Sequence, residues 1–239
     1  MKNIAVIFAG GTGTRMNNAS RPKQFIELNG KPVIIYTLEL FENHTKIDGI
    51  VVVCLESWVG FLKQQLSKFH ISKVAAIVPG GSTGQESIYN GLVRANELYG
   101  KDTVVLIHDG VRPLITEQTI TDNIENVSQF GNCITCVPAT ETFMVRQADN
   151  SLTIPERKDS LLARAPQSFI LGDILDAHNK AIAEGRNDFI DSCTMMSHYG
   201  HLMHTVIGPM ENIKITTPTD FFAFRAIIEV RENQQIFGI

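Results

Sequence analysis

Apolar residues along this chain fall into two alternating spacings, and the alternation predicts its architecture. Asn3 to Ala9 is a nearly continuous apolar run broken by Gly10-Gly11, as expected of a strand buried on both faces. Behind Lys31-Pro32, Val33, Tyr36, Leu40 and Phe41 recur at helical spacing. Gly49 to Leu55 is the second strand, with four consecutive β-branched residues from Ile50 to Val53. Ser57 is placed to cap a helix running to about Phe69. Val74 to Val78 forms a third strand, followed by Pro79-Gly80-Gly81-Ser82 and a helix from about Gln85 that Gly100 stops. Thr103 to Ile107 then leads into His108-Asp109-Gly110-Val111-Arg112-Pro113.

Strand, turn and helix repeated in this way predict an α/β fold, a Rossmann-like and predominantly parallel sheet with helices on both faces. Ligands in such sheets sit beyond the carboxyl ends of the strands. Gly10-Gly11, Gly80-Gly81 and Asp109 all fall there, so one crevice can hold them together. Thr116 to Phe130 reads as a helix and Cys133 to Val137 as a core strand. From Pro138 to about Lys158 the pattern changes, with Thr142 to Val145 and Leu152 to Ile154 extended around the turn residues Ala148-Asp149-Asn150-Ser151. This is a protruding β-hairpin arm. A lone ribbon is marginal in water, so a second copy of the chain is expected to cover it in a homodimer.

Ala163 to Ile170 returns to the sheet, and Asp173 to Glu184 is an amphipathic helix closed by Gly185. A short helix after Asp191 ends at Gly200, and Met203 to Ile207 is a further strand. Thr217-Pro218-Thr219-Asp220 opens a last helix carrying Phe221, Phe224 and Ile228 on one face. The whole reads as one domain, residues 1–239, with the arm at about 138–158.

Composition removes several function classes. A hydrophobic share of 44% and a charged share of 19% suit a soluble globular chain, and a net charge of −4 offers no general nucleic-acid footprint. Four scattered cysteines in 239 residues make no disulfide framework and suit a reducing cytoplasm. Cys133-x-x-Cys136 has redox or zinc spacing, but no second Cys or His pair accompanies it and its segment reads as buried strand. The seven-residue apolar run near the N-terminus is shorter than a signal peptide, and no stretch approaches a membrane span.

The candidate chemistry lies in the first loop. Glycines bring backbone N–H groups close to phosphate oxygens, so Ala9, Gly10, Gly11, Thr12 and Gly13 can cradle a nucleoside triphosphate. Arg15 and Lys23 would add full positive charge. Neither G-x-x-x-x-G-K-[ST] nor G-x-G-x-x-G is present, which excludes the P-loop and dinucleotide fingerprints.

Taken together, the loop from Ala9 to Met16 and Pro22-Lys23-Gln24-Phe25 resemble those of the sugar-phosphate cytidylyltransferases. Two branches of that family come into view, using methylerythritol phosphate and ribitol 5-phosphate. The resemblance continues through Gly80-Gly81-Ser82 with Glu86-Ser87, the Asp109 motif, Pro166-Gln167-Ser168-Phe169 and Asn212 to Thr216. It implies that Arg15 and Lys23 stabilise charge on the α-phosphate of CTP, and that Gly81, Ser82 and Ser87 read the cytosine edge. Asp109 and Arg112 would meet the acceptor or metal-bound phosphates, with Asp109 the candidate ligand for Mg²⁺. Arg157 and Lys214 would position the acceptor's phosphate, and Thr142 on the arm would reach the neighbour's site.

Two positions depart from the family pattern: Gly84 stands where relatives often carry Arg, and Ala165 where many carry Thr. Ala-Gly-Gly in the first loop, Val111 and Gln-Ser-Phe after Pro166 place the chain nearer the ribitol-phosphate branch. The expected activity is CMP transfer from CTP to a polyol phosphate, ribitol 5-phosphate ahead of methylerythritol phosphate. A non-catalytic nucleotide-binding protein on the same scaffold is the reading of a different class. His108 is expected to pack or support, and Asp191 to orient either Lys214 or its own loop.

Overall fold

The computed structural model describes residues 1–11 and 21–238. Four parallel strands form one half of a seven-stranded sheet: β1 (Asn3–Ala9), β4 (Gly49–Cys54), β5 (Val74–Pro79) and β6 (Val104–Asp109), while the short β2 (Glu27–Leu28) and β3 (Lys31–Pro32) pair with each other outside it. β1 lies between β6 and β4, and β5 flanks β4. The other half holds β7 (Asn132–Pro138), β10 (Leu161–Ile170) and the edge strand β11 (Thr205–Ile207). β10 runs antiparallel to both β6 and β7, whereas β11 is parallel to β7. The predicted, predominantly parallel sheet is therefore present with one reversed strand.

Its two faces are both covered. Ala5, Ile7 and Ala9 of β1 join one apolar cluster, while Ile4 and Val6 join the other, as the two-residue period of a strand requires. Helices α1 (Val33–Asn43), α2 (Val59–Lys68) and α4 (Glu117–Phe130) serve the first face. Helices α3 (Gly84–Tyr99), α5 (Leu171–Ala183) and α6 (Ser192–His198) serve the second. α3 approaches closely because residue 91 is glycine: a Cβ there would lie 2.6 Å from a Val6 methyl and 2.7 Å from a Val53 methyl.

Cys133 and Cys136 also fall in opposite clusters, since residues three apart on a strand face opposite ways. They cannot meet each other or share a metal. Burial pushes the Cys133 thiol up to about 12, which keeps it inert.

The last helix, α7 (Pro218–Phe237), begins as its sequence predicts. Asp220 accepts from the Thr216 and Thr217 N–H groups, and its own N–H donates to Thr217 Oγ1, a reciprocal cap. Phe224 is fully buried, with Phe221 and Ile228 packed at the edge of the same cluster. The Ser57 cap does not form. A 3₁₀ turn, Glu56–Trp58, occupies that place and α2 starts one residue later without a side-chain cap; Trp58 stacks on Phe25, and Phe61 meets both rings edge-on, which fixes the entry.

The arm is a short ribbon of β8 (Val145–Arg146) and β9 (Leu152–Thr153). Met144, Leu152 and Ile154 are each more than half exposed on it. No helix among the described residues is long and apolar enough to cross a membrane.

Candidate active site

The carboxyl ends of β1, β4, β5 and β6 converge on one crevice. Gly10 follows β1, Leu55 follows β4, Gly80 and Gly81 follow β5, and Asp109 ends β6. The β5 loop folds over β4, with Gly80 N–H donating to the Cys54 carbonyl at 3.0 Å. These loops enclose a cavity of about 390 Å³ reached by Ala9, Gly10, Gly11, Lys23, Gly81, Ser82 and Ser87. Thr12, Gly13 and Arg15 lie outside the described residues.

The Gly81 turn is shaped from behind. Ser87 is buried; its hydroxyl donates to the Thr83 carbonyl and accepts from Gly81 N–H at 3.0 Å. Glu86 folds back to accept from both Ser82 N–H and Ser82 Oγ. Glycine is required at 81, because a Cβ would sit 2.3 Å from the Glu86 side chain. Ser87 therefore sets the turn's backbone, and Ser82 is the exposed member of the set.

Gln24 is a site residue to which sequence reasoning gave no role, as are Asn212 and Gln167. Gln24 is 1% exposed, and its Nε2 donates to the Ala9 carbonyl at 2.6 Å and the Gly11 carbonyl at 3.1 Å. Both ends of the described part of the first loop are tied to it. Its place in the Pro22-Lys23-Gln24 motif was the available signal.

Asp109 forms the floor. Its Oδ2 accepts from Arg112 Nε at 2.7 Å and its Oδ1 lies 2.5 Å from Lys214 Nζ. Burial pushes the carboxyl upward, but the Lys214 and Arg112 cations outweigh it and hold the pKa below its ordinary value. Asp109 is therefore ionised. Lys214 also sits over the Phe8 ring, 5.7 Å from its centroid. Arg112 Nη1 donates to the Asn212 carbonyl at 2.9 Å, and Asn212 Nδ2 donates to the Ala165 carbonyl at 2.6 Å. Through Asn212, the segment before α7 is locked to β10 and to the Asp109 motif.

A second cavity, of about 410 Å³, opens on the far side of the Asp109–Lys214 pair. Arg112, Arg164, Ala165, Gln167 and Asp191 line it, and Gly84 borders both cavities. Two substrates can thus meet across Asp109 and Lys214. Asp191 does not orient Lys214: its Oδ2 accepts from Gln167 Nε2 at 3.0 Å and its Oδ1 caps α6 through Thr194 N–H. His108 packs as expected, fully buried beside Phe41, with Nε2 3.1 Å from the Arg112 carbonyl.

Arg157 and Thr142 are not in this crevice. Both are exposed on the arm, and Arg157 Nη1 donates to the Thr140 carbonyl at 3.3 Å. Neither lines either cavity of its own chain.

Comparison with known proteins agrees with this geometry. Residues 3–230 match the family described as IspD, 2-C-methyl-D-erythritol 4-phosphate cytidylyltransferase. A Vibrio parahaemolyticus protein named ribitol-5-phosphate cytidylyltransferase is 54% identical over 237 residues, covering 99% of this chain and 100% of its own. A protein of the same name from Streptococcus agalactiae is 48% identical over 240 residues, covering 100% of each. A Clostridium botulinum protein named 2-C-methyl-D-erythritol 4-phosphate cytidylyltransferase is 37% identical, covering 95% of this chain and 98% of its own. The crystal structure of 4-diphosphocytidyl-2C-methyl-D-erythritol synthase from Anaerococcus prevotii superposes with a TM-score of 0.80 at 28% identity, covering 95% of this chain and 96% of that one. With a family match over almost its full length and the same fold, the chain belongs to the IspD family of cytidylyltransferases.

Proposed function

We propose that this chain transfers CMP from CTP to D-ribitol 5-phosphate, giving CDP-ribitol and pyrophosphate. The observation that carries the reading is the pair of cavities meeting at Asp109 and Lys214, in a chain whose 48–54% identical relatives bear the ribitol-5-phosphate name over their whole length.

An acceptor phosphate oxygen attacks the α-phosphorus of CTP while the bond from that phosphorus to the β-phosphate's bridging oxygen breaks, and pyrophosphate takes the electron pair. The nucleophile is an anion at neutral pH, so no strong general base is required. What the reaction needs is suppression of repulsion between two anions and an in-line pose. Backbone N–H groups at Gly10 and Gly11, with Lys23, would hold the triphosphate side. Arg112 and Lys214 would receive the acceptor side, fixed by their shared carboxylate. Arg15 belongs to the same proposal by resemblance alone.

Mg²⁺ fits as an ion carried by the triphosphate. It takes one or two carboxylates, phosphate oxygens and waters; Asp109, the carboxylate on the triphosphate cavity, would offer it the lone pairs that Arg112 and Lys214 leave. No cluster of three acidic, Cys or His side chains among the described residues could hold a metal by itself. When bound, Mg²⁺ neutralises phosphate charge. The exposed apolar residues of the arm support a homodimer in which Thr142 and Arg157 serve the neighbouring site. A biosynthetic activity of this kind belongs in the cytoplasm.

The test is product identification: enzyme, CTP, Mg²⁺ and ribitol 5-phosphate should give CDP-ribitol and one pyrophosphate per turnover by mass spectrometry and phosphorus NMR. CTP binding without any product would favour the non-catalytic reading.

A further inference from the structure

β10 loses its regular pairing with β7 between Ala163 and Gln167. Such an irregularity re-aims side chains at a sheet's working end, and Arg164 is the charged residue among those of this stretch that line the acceptor cavity. No hydrogen bond or ion pair to Arg164 is formed among the described residues, although it is only partly exposed and lines the same cavity as Arg112, whose positive charge and its own burial both disfavour its charged form. A half-buried arginine beside a like charge is unfavourable unless an anion joins them.

The surrounding charges specify that anion. Arg112 and Lys214 share the single carboxylate of Asp109, whose two oxygens they occupy. Asp188, on the same wall, pairs with Arg186. Asp191 has its oxygens turned to the Gln167 amide and the Thr194 N–H. Arg164 is the cation here that none of these carboxylates answers. Counting Arg112, Lys214 and Arg164 against Asp109 and Asp191, with Asp188 offset by Arg186, leaves about one positive charge, so this wall favours an anion such as a phosphate monoester. Gly84 lines the same cavity, and a Cβ there would meet nothing within 4 Å, so the cavity is open on that side.

We propose that Arg164 is a specificity-determining residue that binds the phosphate of the acceptor inside its own subunit, beside Arg112 and Lys214. This rests on the alditol-phosphate transfer proposed above. The guanidinium's planar fork suits two phosphate oxygens at once, which would hold the acceptor with one remaining oxygen toward the nucleotide cavity.

Steady-state kinetics of Arg164→Leu and Arg164→Lys, with thermal unfolding to confirm folding, test this. For Arg164→Leu the KM of ribitol 5-phosphate should rise about 10- to 100-fold, as for a lost charge-assisted contact. The KM of CTP should stay within about twofold, and Arg164→Lys should recover part of the loss by keeping the charge. Unphosphorylated ribitol should inhibit wild type and Arg164→Leu equally. An unchanged acceptor KM, or a KM for CTP that rises as much, would overturn the assignment. If wild type turns over no polyol phosphate, the transfer reading fails by itself. Arg164 is then judged by titrating inorganic phosphate: at least fivefold weaker binding in Arg164→Leu supports the site, and equal binding overturns it.

Discussion

Lys214 Nζ lies 2.5 Å from Oδ1 of Asp109, joining the segment before the last helix to the end of the central strand β6. The contact divides the crevice, since both residues line the cavity of about 390 Å³ and the cavity of about 410 Å³ alike. Whatever moves across the site must pass this pair.

Asp109→Asn keeps the side chain's shape and removes its charge. Arg112 is then left buried with no carboxylate, and the fold should lose about 3 kcal/mol, the low end for a broken buried pair because Lys214 is partly solvated. Turnover should fall at least about 100-fold, as when a preorganised charge is removed from a reacting centre. Denaturant midpoints and initial rates measure the two effects separately. An unchanged midpoint would mean that the pair contributes nothing to the fold.

Gln24→Ala should raise the KM of CTP about tenfold and leave that of the acceptor nearly unchanged. The Ala9 and Gly11 carbonyls lose their buried donor, at roughly 1–3 kcal/mol for unsatisfied groups. Initial-rate kinetics varying each substrate in turn distinguish this from a general loss of folding.

Acid should weaken the fold as buried histidines are driven to ionise. Burial pushes the rings of His108 and His178 down to about 4, whereas an unfolded histidine ionises near 6.5. Between those values the unfolded chain binds protons that the folded chain refuses. Stability is therefore full above about pH 6.5 and declines as pH falls toward about 4, by roughly 3 kcal/mol per histidine. Asp109, held below its ordinary value, extends the loss to lower pH by the same sign. Replacing His178 by Phe should remove that residue's share of the decline above pH 4, the rest being left to His108 and to His44, which burial also lowers. A denaturation series across pH 4 to 7 reads it, and an unaltered slope in that variant would count against the assignment.

Met144→Asp with Ile154→Asp places charges on two exposed apolar residues of the arm. On the proposed dimer, the double variant should be a monomer by analytical ultracentrifugation, with most turnover lost as Arg157 and Thr142 would be withdrawn from the neighbouring site. A fully active monomer would remove the arm from the catalytic account.

Much of this was legible in the chain because glycine turns fall at the ends of apolar runs. Gly10, Gly81 and Asp109 could be assigned to one crevice from strand order alone, and Gly100 and Gly131 end their helices as read. The reversed direction of β10 was not legible, since an apolar run carries no polarity. Gln24, Asn212 and Gln167 were missed for a different reason. Each is a buried polar side chain bonded to groups 13 to 47 residues away, and such residues look like ordinary surface positions until the loops are brought together. Asp191 and Ser57 could not be settled locally either, the first taken by Gln167 and Thr194 and the second displaced by Trp58 packing on Phe25.

The central claim is tested most directly by comparing kcat/KM for pyrophosphate release from CTP with ribitol 5-phosphate and with 2-C-methyl-D-erythritol 4-phosphate, using one enzyme preparation. The account predicts efficient release with ribitol 5-phosphate and a kcat/KM at least about 100-fold lower with the other acceptor, equivalent to some 3 kcal/mol of discrimination. Equal or reversed preference would contradict it.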